Sequence, residues 1–356
     1  MKEEVSGAPY RPVPLTTSVV GSAARPGWLD LAVAAAARGE LGSADITEVL
    51  DDAVDVALRD QEEAGIDVVT DGEMRRAGFF TAAFYRHVTG LEPLSPDRRL
   101  GPGGHDQQHR FRVLEPIGAP DGLGVVAEFR AARTRTGRPL KVTLPGPFTL
   151  SGRLLTGPRE VYRERLAAAE AFVPILAGEI RALVDAGATY VQVDEPSPAI
   201  HPEASDSFAS LVNATLRDIL GRARTASHLC FGNYLGRPLA RRSYRPILHQ
   251  ALAFAVDELV LEFANRELAD LDVAAEVTAA GRDLAAGVID VKNYHLESAD
   301  EVAERVERLL AAGVREERLL LVPDCGLSQT ARWAAKPKMR ALVAGRDLVR
   351  GRVGVG

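Results

Sequence analysis

The sequence predicts an α/β fold in which eight parallel strands alternate with helices, a (β/α)8 barrel. Eight short apolar runs, rich in β-branched residues, recur along the 356-residue chain with helical patterns between them. The runs are apolar throughout instead of alternating, as expected for strands buried on both faces of a parallel sheet. Eight such units favour a closed barrel over an open sheet. We therefore predict one domain covering residues 1–356.

The predicted strands each end in polar residues or glycine, and most are followed by a helical segment. In chain order they are Leu15–Ser22, Ile66–Glu73, Leu140–Gly146, Tyr190–Pro196, Ser227–Gly232, Glu258–Phe263, Gly287–Lys292 and Arg318–Pro323. The main predicted helices run through residues 45–64, with Ser43 or Asp45 as the cap, 158–186, 300–312 and 330–350. Residues 84–138 are less regular and include a glycine- and charge-rich stretch, Asp97–His105. Because the strand–helix rhythm resumes afterwards, we predict an inserted hairpin or flap within the barrel.

Composition excludes several classes of function. The net charge of −6 and the sequence pI of about 5.8 argue against nucleic acid or an anionic membrane surface as the main partner. Two cysteines cannot form a disulfide framework, and the N-terminus lacks the layout of a secretory signal. No apolar run is long enough to span a bilayer. We expect a cytoplasmic protein with free thiols.

The strand ends carry an unusual number of polar and metal-capable side chains. In barrels of this kind the chemistry lies where the strands end, at the C-terminal mouth. One acidic residue at a strand end is more often a helix cap than a catalyst, but here nearly every end is polar. The residues are Gly21/Ser22, Asp71/Glu73, Gly146, Asp194/Glu195, His228/Cys230, Glu262, Asp290/Lys292 and Asp324/Cys325.

A metal site is the most specific prediction at this mouth. His228 and Cys230 are two residues apart, so on a strand their side chains share a face. Nitrogen and sulfur donors together suit zinc. Cys325 is the only other cysteine and also closes an apolar run. The alternative is that both cysteines are small buried apolar residues.

Motifs at all eight strand ends resemble, in order, those of a known family. They are Thr16–Ser22, Asp71–Glu73, Pro145–Leu150, Val193–Pro196, His228–Cys230, Leu261–Glu262, Gly287–Val291 and Pro323–Leu327. The chain resembles the catalytic barrel of cobalamin-independent methionine synthases, most closely their short single-barrel homologues. The resemblance implies zinc held by His228, Cys230, Glu262 and Cys325. It also implies homocysteine as the acceptor, with its amine and carboxylate at Gly21, Ser22, Glu73 and Asp194.

The chemistry of thiol methylation explains these residue types. A free thiol with a pKa near ~8.5 is mostly protonated at neutral pH, whereas the thiolate is the nucleophile. A metal that accepts the substrate sulfur removes this proton. Glu262 is the hypothetical ligand that yields its place, since oxygen is harder than sulfur. Asp194 and Glu73 would hold the substrate ammonium and aim the sulfur at the methyl carbon.

One departure from the family pattern concerns proton transfer. Full-length members have Asp-x-His on the seventh strand, whereas this chain has Asp290 followed by Lys292. His295 is near but not in the same position. Lys292, with Asp290 and His295 as the other catalytic candidates, could protonate or hold a leaving group. Alternatively, Lys292 forms an ion pair with Asp290 or Glu297.

The second departure concerns the methyl donor. The family's tryptophan, which stacks on folate after Gly-Pro-x-Thr, is absent, and Arg153 stands there as the donor-binding candidate. The donor is left open between methyl-tetrahydrofolate and a methylated corrinoid, including one on a partner protein. Arginine can also stack on a planar ring. We expect free methyl-folate to be the poorer donor.

Two other functions compete with this interpretation. The first is a thiol alkyltransferase of the epoxyalkane–coenzyme M type, whose sulfonate substrate would need an arginine-lined pocket. Arg75, Arg76 and Arg153 keep that alternative open. The second is a zinc-binding barrel that has lost catalysis, which the presence of Glu73, Asp194 and all four metal candidates makes the weaker alternative.

Overall fold

The computed structural model describes residues 7–76, 81–95, 110–201, 207–233 and 241–353. The glycine- and charge-rich stretch predicted at residues 97–105 lies outside these ranges. Within them, no helix combines the length and the apolar character that a membrane crossing requires.

Six parallel strands form a continuous sheet in the order of the chain, each hydrogen-bonded to the next. The register places Leu144 opposite Val193 and Asp194 opposite His228, so neighbouring strands end at similar heights. Every residue of five of these strands is buried. The strands are β3 Val142–Pro145, β4 Tyr190–Asp194, β5 Arg224–Leu229, β6 Glu258–Glu262, β7 Asp283–Ile289 and β8 Leu319–Pro323.

Two short extended segments near residues 17 and 68 close this sheet into a ring. Thr17 bridges Leu321 of β8, and Ser18 bridges Val68, in both cases in parallel. The second segment reaches the start of β3, where the Lys141 N–H donates to the Val69 carbonyl at 2.9 Å. Eight parallel segments therefore surround one axis, which confirms the predicted (β/α)8 barrel.

Helices form the outer layer of the barrel. The last helix packs against both the first long helix and the helix that precedes it in the chain. The α-helices are α1 Gly27–Ala37, α2 Ser43–Ala64, α3 Ala82–Tyr85, α4 Val125–Arg133, α5 Pro147–Ser151, α6 Arg165–Asp185, α7 Ser197–Ile200, α8 Phe208–Leu216, α9 Leu248–Leu252, α10 Leu271–Ala279, α11 Ala299–Ala311 and α12 Arg332–Val353. Short 3-10 turns cover Arg217–Ile219, Arg245–Ile247, Ala264–Arg266 and Glu316–Arg318. Contacts of α12 with α2 and α11 complete the ring of helices.

The barrel interior is filled at its N-terminal end, which leaves the opposite end for the site. The Tyr10 ring stacks on Tyr190 with 5.7 Å between centroids. The Tyr190 hydroxyl donates to Glu258 at 2.7 Å, and Arg224 pairs with the same carboxylate. These interactions pair the buried side chains of Tyr190, Arg224 and Glu258 with one another. They lie next to an apolar interior layer that includes Val20, Val68, Val260 and Leu320.

The predicted insertion contains an antiparallel hairpin. Its strands are β1 Thr89–Pro93 and β2 Phe111–Gly118. The hairpin is anchored to the barrel by the Phe111 N–H, which donates to the Arg153 carbonyl at 2.9 Å, and by the Phe111 ring, which packs 4.7 Å from Tyr85. Helix α4 follows in the same segment.

Several predicted boundaries differ from the structure. Helix α2 is capped by Gly42, whose N–H donates to Asp45 at 2.8 Å, so neither Ser43 nor Asp45 is the cap residue. Strand β7 begins at Asp283 instead of the predicted Gly287, because its pairing with β6 starts there, with Asp283 opposite Glu258. Helix α6 begins only at Arg165. Strand β5 ends at Leu229, so Cys230 lies in the following loop.

Candidate metal centre and substrate site

Three of the four predicted metal ligands converge at the C-terminal mouth. His228 lies at the end of β5, Cys230 follows that strand, and Cys325 follows β8. One imidazole nitrogen and the two sulfurs all lie within 4.8 Å of one another. Both cysteines are free thiols, Cys230 buried and Cys325 half-buried. Strands β5 and β8 are far apart in the sequence, but the barrel brings their carboxyl ends to the same mouth.

His228 is held by a carboxylate on the neighbouring strand. Its Nδ1 lies 3.0 Å from Oδ1 of Asp194, an oxygen that also accepts from Gln192 Nε2 at 2.7 Å. The other ring nitrogen, Nε2, is buried and has no hydrogen-bond partner in the described part of the chain. A histidine with one nitrogen on a carboxylate and the other unpartnered matches the usual arrangement of a metal ligand.

The two thiols and the imidazole are close enough to shift one another's pKa. A hydrogen bond from Cys230 lowers the pKa of the Cys325 thiol well below its ordinary value, and raises that of Cys230, which burial raises further. Burial lowers the pKa of His228, but the neighbouring Asp194 carboxylate and Cys325 thiol outweigh it and raise that pKa to about 10. A metal bound here would replace the protons of these groups, as thiolate and imidazole ligands require.

Glu262, the fourth predicted ligand, ends β6 and lies outside the group of three whose donor atoms come within 4.8 Å of one another, although it is near enough for its charge to raise the pKa of Cys230. Its Oε2 lies 2.5 Å from Nζ of Lys292, and both side chains are fully buried. The second oxygen, Oε1, is buried without a hydrogen-bond partner among the described residues. His228 Nε2, Glu262 Oε1 and two sulfurs are the nitrogen, oxygen and two-sulfur donor set of a tetrahedral zinc site. The residues present therefore fit zinc.

The Glu73 carboxylate lies close to Asp194, in a space that Gly21 leaves open. Glu73 adopts a left-handed backbone conformation, with φ of 57°, and accepts from Thr143 Oγ1 at 2.6 Å. A Cβ at Gly21 would lie only 2.7 Å from Glu73 Oε1, so glycine makes room for the carboxylate. Burial raises the pKa of Glu73 to about 7, with Arg76 opposing the rise and Asp194 adding to it. Two neighbouring buried carboxylates suit a cationic ligand group.

Ser22 lies where the first segment meets the Cys325 loop. Its carbonyl accepts from the Leu327 N–H at 2.7 Å, two residues beyond Cys325. This bond brings together the predicted substrate residues of the first strand and the loop that carries a metal candidate.

The three catalytic candidates of the seventh unit separate in space. Lys292 pairs with Glu262, so the expected alternatives, an ion pair with Asp290 or with Glu297, are wrong. The Asp290 carboxylate instead accepts from the Lys292 backbone N–H at 2.8 Å. The His295 ring is 57% exposed, and its Nε2 pairs with Glu301 at 2.8 Å. The structure brings Lys292 to the metal candidates and places His295 at the start of α11.

Comparison with known proteins shows the family to which this chain belongs. Residues 15–346 match the family described as cobalamin-independent synthase, catalytic domain. The chain belongs to this family. It is 31% identical over 340 residues to a methionine synthase of Thermococcus kodakarensis, covering 94% of each chain. It is 31% identical over 338 residues to that of Sulfurisphaera tokodaii, covering 94% of this chain and 93% of the relative.

Solved structures share the fold of this cobalamin-independent synthase domain. A B12-independent methionine synthase from Shewanella sp. W3-18-1, in complex with selenomethionine, superposes with a TM-score of 0.81 at 24% identity, covering 96% of this chain and 100% of that one. A putative vitamin-B12 independent methionine synthase from Listeria monocytogenes gives 0.69 at 20% identity, covering 96% and 99%. At these identities the likeness supports the barrel architecture.

Arg153, the donor-binding candidate of this family member, lies after α5 beside the hairpin. Its carbonyl holds the Phe111 N–H, and its guanidinium opposes the rise that burial causes in the pKa of Tyr85. The predicted donor position is thus built jointly by the barrel and the inserted segment.

Sequence analysis missed residues that support the site from below and behind. Gln192 donates a hydrogen bond to Asp194. Because it lies two residues earlier on the same strand, its side chain shares a face with that of Asp194, and the contact could have been predicted. Lys338 of α12 is fully buried, pairs with Glu297 at 2.8 Å and donates to the Asp290 carbonyl at 2.7 Å. No local pattern identifies Lys338, because its partners lie more than forty residues away.

Proposed function

We propose that this chain is a zinc-dependent methyltransferase that transfers a methyl group to the thiol of homocysteine and forms methionine. Membership of the cobalamin-independent synthase family supports the reaction class. The single observation that carries the proposal is the pair of buried, unpartnered atoms, His228 Nε2 and Glu262 Oε1, at the end of the barrel that holds both thiols. Unpaired buried polar atoms are costly, and one metal ion would satisfy both.

The zinc would be held by His228, Cys230, Cys325 and Glu262. When bound, it supplies the substrate sulfur as a thiolate at neutral pH. Asp194 keeps the His228 ring in place through its bond to Nδ1. Lys292 offsets the negative charge that two thiolates and a carboxylate bring to a buried site.

The substrate ammonium would lie between Glu73 and Asp194. Both carboxylates are buried, and the pKa of Glu73 is raised to about 7 because burial and Asp194 disfavour its charge. A cation bound between them would favour the ionised form of Glu73 and so be bound tightly. Ser22 and the backbone next to Gly21 would contact the substrate carboxylate.

Two of the three arginines that favoured a sulfonate substrate, Arg75 and Arg76, already have carboxylate partners. Arg76 donates to Glu128 at 2.9 Å and lies 3.2 Å from Glu73, and Arg75 pairs with Asp51. A sulfonate pocket would need guanidinium groups without carboxylate partners. This pairing supports a thiol that carries an amine over coenzyme M. The intact set of buried carboxylates likewise supports catalysis over a purely zinc-binding role.

For the donor we propose a methylated corrinoid, free or carried by a partner protein, over free methyl-folate. An open barrel mouth needs an aromatic platform to orient a pterin, and Arg153 stands where that platform is expected. Methionine formation is measured with homocysteine and a panel of donors: methyl-folates with one and several glutamates, methylcobalamin, and a methylated corrinoid protein. Corrinoid donors should give the faster turnover. Efficient turnover with methyl-folate alone refutes the donor assignment, and no methionine from any donor refutes the function.

A further inference from the structure

We propose that Lys292 is a positioning residue that controls how readily Glu262 yields its place on the metal to the substrate sulfur. The ammonium holds one carboxylate oxygen while the other remains available to the ion. It then stays paired with the carboxylate once the sulfur has taken that place. This inference rests on the proposed zinc-dependent function.

The ion pair between the two residues is buried and specific. Nζ of Lys292 lies 2.5 Å from Oε2 of Glu262, with both side chains at 0% exposure. Within the described ranges, Glu262 is the one hydrogen-bond acceptor of this ammonium. Because Lys292 engages Oε2 alone, Oε1 is left as a single oxygen donor.

Other acidic groups near Lys292 already have partners. Asp290 receives the Asn265 side chain at 3.1 Å in addition to the Lys292 backbone N–H. Glu297 is paired with Lys338 at 2.8 Å and Arg305 at 3.3 Å. In the loop after β7, the ammonium of Lys292 therefore pairs with Glu262 and not with the acidic residues closer to it in the sequence.

Charge balance explains why this commitment matters for ligand exchange. Two thiolates and one carboxylate around a divalent cation leave one negative charge in excess, which Lys292 cancels. On binding of the substrate sulfur, Glu262 would leave the ion but stay in the same buried surroundings. An unpaired buried carboxylate is strongly disfavoured. The ammonium supplies the partner, and so it shifts the balance toward exchange.

The test uses the cobalt(II)-substituted protein, whose absorption reports the number of sulfur ligands. Homocysteine is titrated into wild type, Lys292→Met and Lys292→Arg, and the increase in sulfur-to-cobalt absorption gives the midpoint for thiol binding. Truncating one member of a buried charge pair justifies an expected shift of about tenfold or more to higher homocysteine for Lys292→Met. Lys292→Arg, which keeps the charge, should remain near wild type. Where the methionine variant does not fold, Lys292→Gln replaces it and should shift the midpoint in the same direction.

A double-mutant comparison shows whether Lys292 acts through Glu262. In a Glu262→Gln background, the Lys292→Met change should no longer shift the midpoint, because no carboxylate needs the ammonium. Equal midpoints for wild type and Lys292→Met overturn the inference but leave the proposed function intact. A full tenfold shift that persists without the Glu262 carboxylate also overturns it. Failure of the wild type to bind cobalt, or to respond to homocysteine, refutes the proposed function itself.

Discussion

Asp194→Asn should weaken both metal binding and substrate binding, because the structure gives Asp194 two neighbours. Its Oδ1 lies 3.0 Å from His228 Nδ1, and its charge is felt by the buried Glu73. Loss of a carboxylate behind a metal-ligating histidine typically costs about 10–100-fold in metal affinity, or about 1.4–2.7 kcal/mol. Loss of one partner of a desolvated charge pair costs the substrate ammonium about 2–5 kcal/mol.

The two effects can be measured separately. Zinc affinity is determined by competition with a chelator, and turnover is then measured at saturating zinc with homocysteine and with the same thiol lacking the amine. Glu73→Gln is the matched control, because Glu73 contacts Thr143 and Arg76 but not His228. It should weaken homocysteine binding and leave zinc affinity unchanged. Unaltered zinc affinity in Asp194→Asn, together with equal losses for both thiols, would refute both roles of Asp194.

Three further predictions follow from buried titratable groups. Cys230→Ala and Cys325→Ala should each lose most bound zinc in metal analysis while keeping the thermal stability of the metal-free wild type; zinc near full occupancy in both variants contradicts the proposed ligand set. Because Glu73 must be ionised to hold an ammonium and its pKa is about 7, homocysteine binding should strengthen with pH more steeply below 7 than above it. Glu73→Gln should lose this extra steepness and keep only the slope that comes from release of the thiol proton; an unchanged profile in that variant assigns the steepness to another group. Lys141 is buried and has no hydrogen-bond partner among the residues that the structure describes. Its pKa falls from 10.5 to about 8 mainly because of burial, equivalent to about 3 kcal/mol. Between pH 8 and 10.5 the Lys141 amine is therefore neutral in the folded chain but protonated in the unfolded chain, so wild-type stability should rise with pH over this range. Denaturant unfolding of Lys141→Met should show no such rise; the same rise in the variant would contradict this assignment.

The barrel and the place of the site could be predicted from the sequence because both depend on local patterns. Apolar runs ending in polar residues mark strands whose carboxyl ends meet at one mouth. His228 and Cys230 are neighbours in the chain, so their convergence needs only a strand end. Cys325 joins them because β8 closes the ring beside the first segment, so that its carboxyl end opens at the same mouth. The count of eight units already implied this closure.

The Lys292–Glu262 pair could not be predicted, because it depends on side-chain competition between separate loops. Sequence proximity favoured Asp290 or Glu297 as the partner of Lys292. In the fold, Lys338 of α12 forms the ion pair with Glu297, and Lys292 pairs instead with Glu262 of β6. The start of β7 at Asp283 was also missed, because it is set by the pairing of this strand with β6 and not by the local sequence pattern.

Restoration of methyl transfer by zinc tests the central claim most directly. The protein is stripped of metal with a chelator, and methionine formation from homocysteine and a methylated corrinoid is measured before and after zinc is returned. We predict that turnover is lost on stripping and recovers fully at about one zinc per chain, the stoichiometry of one four-ligand site. Undiminished methionine formation by the metal-free protein would contradict the account.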